Sequence, residues 1–563
     1  MIEATPPGLI LIVGSFISVL LPARIRNVFM LLLPIMGIWQ LTQLTHGLHV
    51  QIELFDQTLT LLRVDKLSLV FGYIFFIAAE LSIIYAWHIK DLVQQVAGLA
   101  YAGAAIGAVF AGDLVSLFVF WELTAITSVF LIWAVRTDRS LKIGLRYLLI
   151  QVGSGVLLLT GALVLRHETN SIAFEHIGIE SLGGILIFIA FGIKAAFPLL
   201  HNWLQDSYPE ATVTGTVFLS AFTTKLAIYA LARGYAGTEI LIWIGAVMTA
   251  FPIFFAVIEN NLRRVLTYSL NNQLGFMVVG IGIGTELALN GAASHAFAHI
   301  LYKALLFMSM GAVLFRTGTI NGSELGGLYK SMPWTTGLCI IGAASISGFP
   351  LFSGFVTKSM ILTAAAEEGY WMAWAVLLFA SAGVFHHSGI KIPFFAFFAH
   401  DQGHRVREAP INMLVAMGLA AALCIAIGVY PEPLYALLPY PVNYVPYTTA
   451  HVVTMLQLLA FAALAFAVLM RTGLYPPELR STNLDTDWFY RHLAPKLVRS
   501  FVQCLSELGD ELARWGQMGV GFILGRAFQY HGPGSWLART WPIGGSALCV
   551  LILLGGYLIV YFI

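Results

Sequence analysis

His295-Ala-Phe-Ala-His299-Ile-Leu-Tyr-Lys303 lies inside the apolar run Ala292–Leu314. Such a run is long enough to cross a bilayer as one helix, and the two histidines and the lysine recur at every fourth residue. At that spacing all three fall on one narrow stripe, about two turns long. A protonatable side chain at membrane depth is costly unless it faces a partner or a water-filled cavity. Two imidazoles, which titrate near neutral pH, followed by an ammonium read as part of a proton wire. The competing reading is a pair of core histidines bonded to polar neighbours.

The rest of the chain is built like that run. Of 563 residues, 58% are hydrophobic and only 10% charged, with a mean hydropathy of +0.82. A net charge of +1 argues against a nucleic-acid surface. Cys339, Cys424, Cys504 and Cys549 show neither CxxC nor Cys/His spacing, so no metal site or disulfide framework is expected. Near the N-terminus stands Glu3 rather than the basic segment of a cleaved signal; the first apolar run is expected to be a permanent span. There is no P-loop or dinucleotide glycine fingerprint, and no cofactor is expected.

Sixteen apolar runs are candidate spans, near residues 7–23, 28–46, 66–88, 94–112, 114–135, 141–166, 182–206, 213–234, 238–258, 262–284, 287–316, 333–366, 371–398, 411–431, 452–471 and 542–563. This is an all-α polytopic membrane protein. If the spans alternate, Arg24, Arg26, Lys90, Arg136, Arg139, Lys142, Arg263, Arg264, Arg316, Lys330, Arg405 and Arg407 share one side, and Arg63, Lys66, Arg166 and Arg233 the other. By the positive-inside rule the N-terminus is then outside. The segment Gln51–Arg63 alternates apolar and polar residues, as a surface hairpin would. From Leu497 to Trp515 apolar residues recur at helical spacing among charges, the pattern of an amphipathic helix, and a last span covers Ile543–Ile563.

Two spans carry internal breakers: Phe191-Gly-Ile-Lys194-Ala-Ala-Phe-Pro198-Leu199 and Ser347-Gly-Phe-Pro350-Leu-Phe-Ser-Gly354. Broken membrane helices are tolerated where the freed backbone lines a cavity, and in paired halves of a transporter they mark the ion site. Glu122 stands mid-span, Lys194 four residues before Pro198, Lys225 within a span, and Lys358 just after the second break. Desolvation loosens an ammonium's hold on its proton and a nearby carboxylate tightens it, so a Glu122–Lys194 pair can act as a switch; the bland alternative is a structural ion pair. Glu80 reads equally as an axial residue or a partner contact. His386 and His387 precede Lys391, which can snorkel to the interface. His201, Asp206 and Glu210 mark the mouth of the first break or an ordinary helix end. Tyr268 and Ser269 follow Arg263-Arg264 as a cytoplasmic helix start would.

These residues resemble those of the proton-conducting antiporter-like membrane proteins, which include the A-type and D-type components of Mrp cation/proton antiporters and the large membrane subunits of respiratory complex I. The resemblance covers roughly residues 60–430 and rests on Phe191–Trp203 with Asp206, Asn261–Ser269, His295–Phe307 and Ser347–Lys358. The string Tyr208–Lys225 looks closest to the D-type Mrp branch. The resemblance implies a fourteen-helix core of two inverted five-helix repeats, each with a broken helix. The expected divisions are 1–93 for N-terminal helices, 94–235 and 236–432 for the repeats, and 433–563 for a C-terminal span, the amphipathic helix and a final span. It implies proton translocation through Glu122, Lys194, Lys225, His295, His299, Lys303 and Lys358, with Lys225 bridging the halves. Two departures stand out: Asn260 or Asn261 stands where the family commonly has Asp, and Ala211-Thr212 where it has Ala-Pro. The amphipathic helix and last span resemble the lateral helix of the longest complex I subunit, with a shorter connection.

The implied function is a proton-translocating subunit of a multisubunit Na+ or K+/proton antiporter in a prokaryotic inner membrane, alongside other membrane subunits. Alternatives are a proton-pumping subunit of a complex I or membrane hydrogenase assembly, and the membrane half of a bicarbonate-uptake complex with a soluble zinc protein. All three share one proton path, so gene neighbours would separate them. A structural scaffold leaves the polar axis without a purpose.

Overall fold

With no water at membrane depth, each backbone amide must find its partner inside its own segment, which leaves helices as the building material. The computed structural model describes residues 5–54, 57–480 and 483–563, and its order is as follows. Helices α1 (Gly8–Val19) and α2 (Ala23–Gln43) lead into a hairpin, β1 (Gly47–Leu54) and β2 (Gln57–Val64), and then α3 (Lys66–Tyr85). Next come α4 (Leu92–Phe110), α5 (Leu114–Trp133), α6 (Asp138–Thr169), α7 (Leu182–Lys194), α8 (Asn202–Glu210), α9 (Gly215–Ala221) and α10 (Thr223–Gly234). The following set is α11 (Ile240–Ile258), α12 (Leu262–Ile283), α13 (Glu286–Thr317), α14 (Pro333–Ser347), α15 (Ser353–Glu367) and α16 (Trp371–Val384). Helix α16 runs on through π-helical turns at Phe385–Ile390 and Phe394–Phe398, on either side of α17 (Lys391–Pro393). The chain continues with α18 (Ile411–Val429), α19 (Glu432–Leu437), α20 (Thr449–Thr472), α21 (Ala494–His531) and α22 (Ile543–Phe562).

All sixteen expected spans are helical. Among the described residues, twelve segments are individually long and apolar enough to cross a membrane. The other four are the 12-residue α1, the polar-centred α12, and the broken pairs α7–α8 and α14–α15. The hairpin is longer than Gln51–Arg63 alone, pairing Gly47 with Val64 at its base; its tip lies outside the described residues. Residues up to Asn483 form one compact unit and Leu484–Ile563 a second. In the second unit α21 is a 38-residue amphipathic helix, twice the length of the expected pattern.

The first unit contains two copies of one architecture. Helices α4 and α11 have 19 residues each, and α6 and α13 have 32 each. Leu114 N–H donates to Ile172 O and Phe174 N–H to Gly112 O, at 2.9 and 3.0 Å. Leu262 N–H donates to Ile320 O and Gly322 N–H to Asn260 O, at 3.0 and 2.9 Å. Each residue of the second set lies 148 positions after its counterpart in the first. A polar side chain caps each second helix: Asp113 accepts from the amides of Val115 and Ser116, and Asn261 from that of Arg264. Each copy crosses five times, with α7–α8 and α14–α15 as fourth members. An odd number of crossings turns the second copy over.

The two breaks share a backbone path. Ala196 and Leu199 have φ of 61° and 71°, and Gly348 and Leu351 both have φ of 74°, on either side of Phe197-Pro198 and Phe349-Pro350. Three of the four are not glycine, so the left-handed conformation is held against its intrinsic cost. A third break falls at Phe222, between α9 and α10, with neither Gly nor Pro to announce it.

Asp113 also holds the hairpin, accepting from Thr60 N–H at 2.7 Å, and is buried. Asp113→Ala strands those amides and is expected to cost about 3 kcal/mol, the sum of a lost cap and a buried unpaired donor. A thermal unfolding midpoint in detergent would show it, with Asp113→Asn falling by less than half as much.

Candidate functional site

In the first repeat the last residue of α7, Lys194, reaches α5 just before the chain breaks. Its Nζ donates to Trp121 O at 2.7 Å and Thr124 Oγ1 at 2.8 Å, and lies 4.4 Å from the centre of the Trp121 ring. The indole is held in turn, donating to Ser154 Oγ at 3.0 Å, and Ser154 donates to Ala190 O. Glu122 shares this neighbourhood but not the contact. Its carboxylate points to α6, where the missing side chain of Gly155 leaves it room: a Cβ at 155 would fall 1.5 Å from Oε1. Among the described residues no group bonds that oxygen. Glu122 and Lys194 lie within electrostatic reach of each other, and two acceptors on α5 hold the ammonium.

Lys225 lies three residues past the break at Phe222, fully buried. The break frees the Ser220 carbonyl, which accepts from Lys225 Nζ. It also frees the Thr223 amide, which donates to Tyr101 OH at 2.9 Å. Phe222 is wedged edge-on between Phe75 and Tyr101, with ring centroids 5.3 Å from each. The break is thus satisfied group by group, and the lysine is part of the satisfaction. Lys225, His299 and Lys303 lie within electrostatic reach of one another, so the two repeats meet here.

His295 is held from both sides. Thr357 donates its hydroxyl hydrogen to Ser353 O at 3.0 Å, so its oxygen accepts from the ring Nδ1–H at 3.1 Å. Gln273 donates through its amide nitrogen to Asn272 Oδ1, which turns Oε1 toward Nε2 at 3.2 Å. Tyr302 OH stands 3.1 Å from that Oε1 and 3.4 Å from Nε2. Two arrangements give both ring nitrogens a partner. In the neutral ring Tyr302 turns its hydrogen to Nε2; in the imidazolium, Nε2–H and Tyr302 both donate to Gln273. Gaining or losing one proton here requires only one hydroxyl to rotate.

One turn further along α13 the His299 ring lies 6.3 Å from His295, tilted by 26°. That separation is too long for a direct bond and suits a bridging water. Both His299 nitrogens, Lys303 Nζ and Lys358 Nζ are buried with no hydrogen-bond partner among the described residues. Lys358, on α15, sits 5.5 Å from the centre of the Phe276 ring and within electrostatic reach of His295.

Sequence reasoning missed the neutral members. Gln151, Thr224 and Asn271 are buried and, among the described residues, leave polar atoms without a partner. Their signal was present, as polar residues inside apolar runs of the helices that carry the charged ones. Other candidates fall elsewhere. Asp206 and Glu210 pair with Arg146 and Arg139, at 3.6 and 2.6 Å. His201 packs on Phe251 with its ring tilted by 60°, centroids 4.6 Å apart. Glu80 buries an unbonded Oε2 on α3. Lys391 does not snorkel: it is buried and donates to the carbonyls of Ala256, Val257 and Glu259, capping the open end of α11.

Residues 111–383 match the family profile described as NADH:quinone oxidoreductase/Mrp antiporter, TM. The chain is 32% identical over 353 residues to the D component of the Na(+)/H(+) antiporter of Alkalihalophilus pseudofirmus, covering 58% of this chain and 71% of that one. It is 26% identical over 420 residues to hydrogenase-4 component B of Escherichia coli, covering 65% and 62%. A chain of the Mrp complex from Dietzia sp. DQ12-45-1b shares the fold with a TM-score of 0.68 at 19% identity, over 85% of this chain and all of that one. A chain of an archaeal membrane-bound sulfane sulfur reductase does so at 0.71 and 21%, over 98% and 100%. This multi-pass membrane protein belongs to the NADH:quinone oxidoreductase/Mrp antiporter transmembrane family.

Proposed function

We propose that the chain translocates protons as one membrane subunit of a multisubunit Na+ or K+/proton antiporter in a prokaryotic inner membrane. The path runs from Glu122 and Lys194 through Lys225 to His299, Lys303 and His295, and on to Lys358, with the N-terminus on the outer side. The observation that carries this reading is the run of buried, unsatisfied titratable groups in the second repeat. Among the described residues, His299, Lys303 and Lys358 have no carboxylate or carbonyl to hold them. A structural ion pair would have been completed; these groups await water and protons.

The chemistry follows from the layout. Lys225 and Lys303 repel when both carry a proton, so charging one favours release from the other. His295 takes or gives the proton at Nε2 by the Tyr302 rotation. At the other end, movement of the Glu122 carboxylate toward or away from Lys194 changes how firmly that ammonium is held. A second reading, a proton-pumping subunit of a hydrogenase-like assembly, draws on the likeness to hydrogenase-4 component B over 420 residues. It uses the same path, with electron transfer elsewhere in the complex as the drive.

Transport by the assembled complex in everted vesicles tests the path. Lys225→Arg keeps the charge but holds its proton too firmly to release it. It should lose transport nearly as fully as Lys225→Ala, and full activity with Arg would make Lys225 a fixed charge.

The double variant His295→Gln/His299→Gln retains hydrogen bonding and removes the ring nitrogens that take up and release a proton. Transport should fall about 10²-fold, the scale of a lost acid–base group. An inserted, stable double variant with parental transport would make the stripe structural.

A further inference from the structure

The proposed path leaves a second group of buried polar side chains unused, on the π-helical turn that follows α16. His387 is fully buried, and its Nδ1 lies 3.0 Å from Ser388 Oγ. Ser388 donates its one hydroxyl hydrogen to Ser269 Oγ of α12, at 2.7 Å. Ser388 can therefore only accept from the ring, which places the neutral proton of His387 on Nδ1 and leaves a lone pair on Nε2. Among the described residues nothing bonds that nitrogen, nor either nitrogen of His386 beside it. A lone pair fixed in direction and open to its surroundings is a proton acceptor in waiting.

Lys303 of the main path is within electrostatic reach of His387, and among the described residues its ammonium has no partner of its own. On the far side the His386 ring packs on Phe466 and Tyr475, with centroids 5.3 and 5.5 Å away. Tyr475 lies in the strap that leaves α20, and that strap brings in Glu478, whose Oε1 is also buried and unbonded. Burial holds the Glu478 carboxyl above the usual carboxylate range, opposed by its own amide and by Lys391. Beyond it stand Glu259 and Arg264, 3.7 Å apart, where α11 ends and α12 begins. Lys391 is a fixed charge here, because three main-chain carbonyls hold it.

The π-helical turn makes this arrangement possible. Its extra residue per turn widens the helix and turns consecutive histidines inward, a device that recurs at functional sites. Gly389 brings the turn against α14: a Cβ there would lie 2.4 Å from Ser347 Oγ, one residue before the second break.

We propose that His387, His386 and Glu478 form a side branch that carries protons between Lys303 and the face bearing Glu259 and Arg264. The Lys303 ammonium gives its proton to Nε2 of His387, leaving a neutral amine and an imidazolium. Release from His387 to His386, and from there to the Glu478 carboxylate through water, restores the neutral ring. The strap from α20 covers the mouth, so its seating governs access. This branch rests on the proposed proton path, and its test separates the two.

The experiment uses oriented vesicles containing the assembled complex, with each variant's amount in the membrane measured. His387→Gln should lower proton flux about 10-fold or more, as loss of a proton acceptor does, while Lys303→Ala abolishes it. Parental flux in His387→Gln with flux lost in Lys303→Ala overturns the branch and leaves the main path standing; parental flux in both overturns the path as well. A water-filled branch also has a chemical signature independent of flux. His386→Cys should react with a membrane-impermeant thiol reagent added to the face bearing Arg264, and not from the opposite face. Mass spectrometry locates the adduct against Cys504 and Cys549 as background. No adduct at residue 386 from that face overturns the branch, even where His387→Gln fails to insert.

Discussion

A main-chain carbonyl or amide stranded in hydrocarbon costs several kcal/mol, and the placement of the buried Lys225 answers to that cost. Lys225 follows the break at Phe222 and takes the carbonyl which that break sets free. Lys194 closes α7 just before the break at Phe197-Pro198, and its ammonium is held by Trp121 O and Thr124 Oγ1 of α5. Lys358, one turn beyond the break at Phe349-Pro350, and Lys303, in the middle of the unbroken α13, have no main-chain group to hold them among the described residues. In the proposed scheme the side branch joins at Lys303.

The two repeats share a skeleton and differ in chemistry. The 148-residue displacement that superposes α6 on α13 sets Tyr147 against His295, Gln151 against His299 and Gly155 against Lys303. In one repeat the stripe is neutral and leaves room for a carboxylate from α5; in the other it is titratable, and Leu270 stands where Glu122 would be. Duplication supplied the scaffold twice. The proton chemistry was then written separately into each copy.

Much of this was readable from the chain. Membrane length and apolar content located the spans, and Gly and Pro announced two of the three breaks. The break at Phe222 could not be read, because it arises from Tyr101 and Phe75 packing against it rather than from any breaker residue. The charged candidates were visible because an ionisable residue in an apolar run is conspicuous. Their contacts were not: Lys194 donates to the Trp121 carbonyl, and the empty side of Gly155 makes room for the Glu122 carboxylate. Lys391 near a span end suggested snorkelling, but the open carbonyls of α11 drew it inward. Backbone acceptors carry no signature in a sequence, and they decided both cases.

Gly155 and Lys303 occupy equivalent places in copies that are upside down to one another. A missing side chain admits a negative group at one, and a long positive side chain fills the other. At this pair of positions the two repeats are alike in backbone and opposite in charge. A symmetric conductor would pass protons equally in either direction under an applied voltage. On the proposed path, opposite charges at equivalent sites make the two directions of proton movement inequivalent, as oppositely doped regions do in a diode.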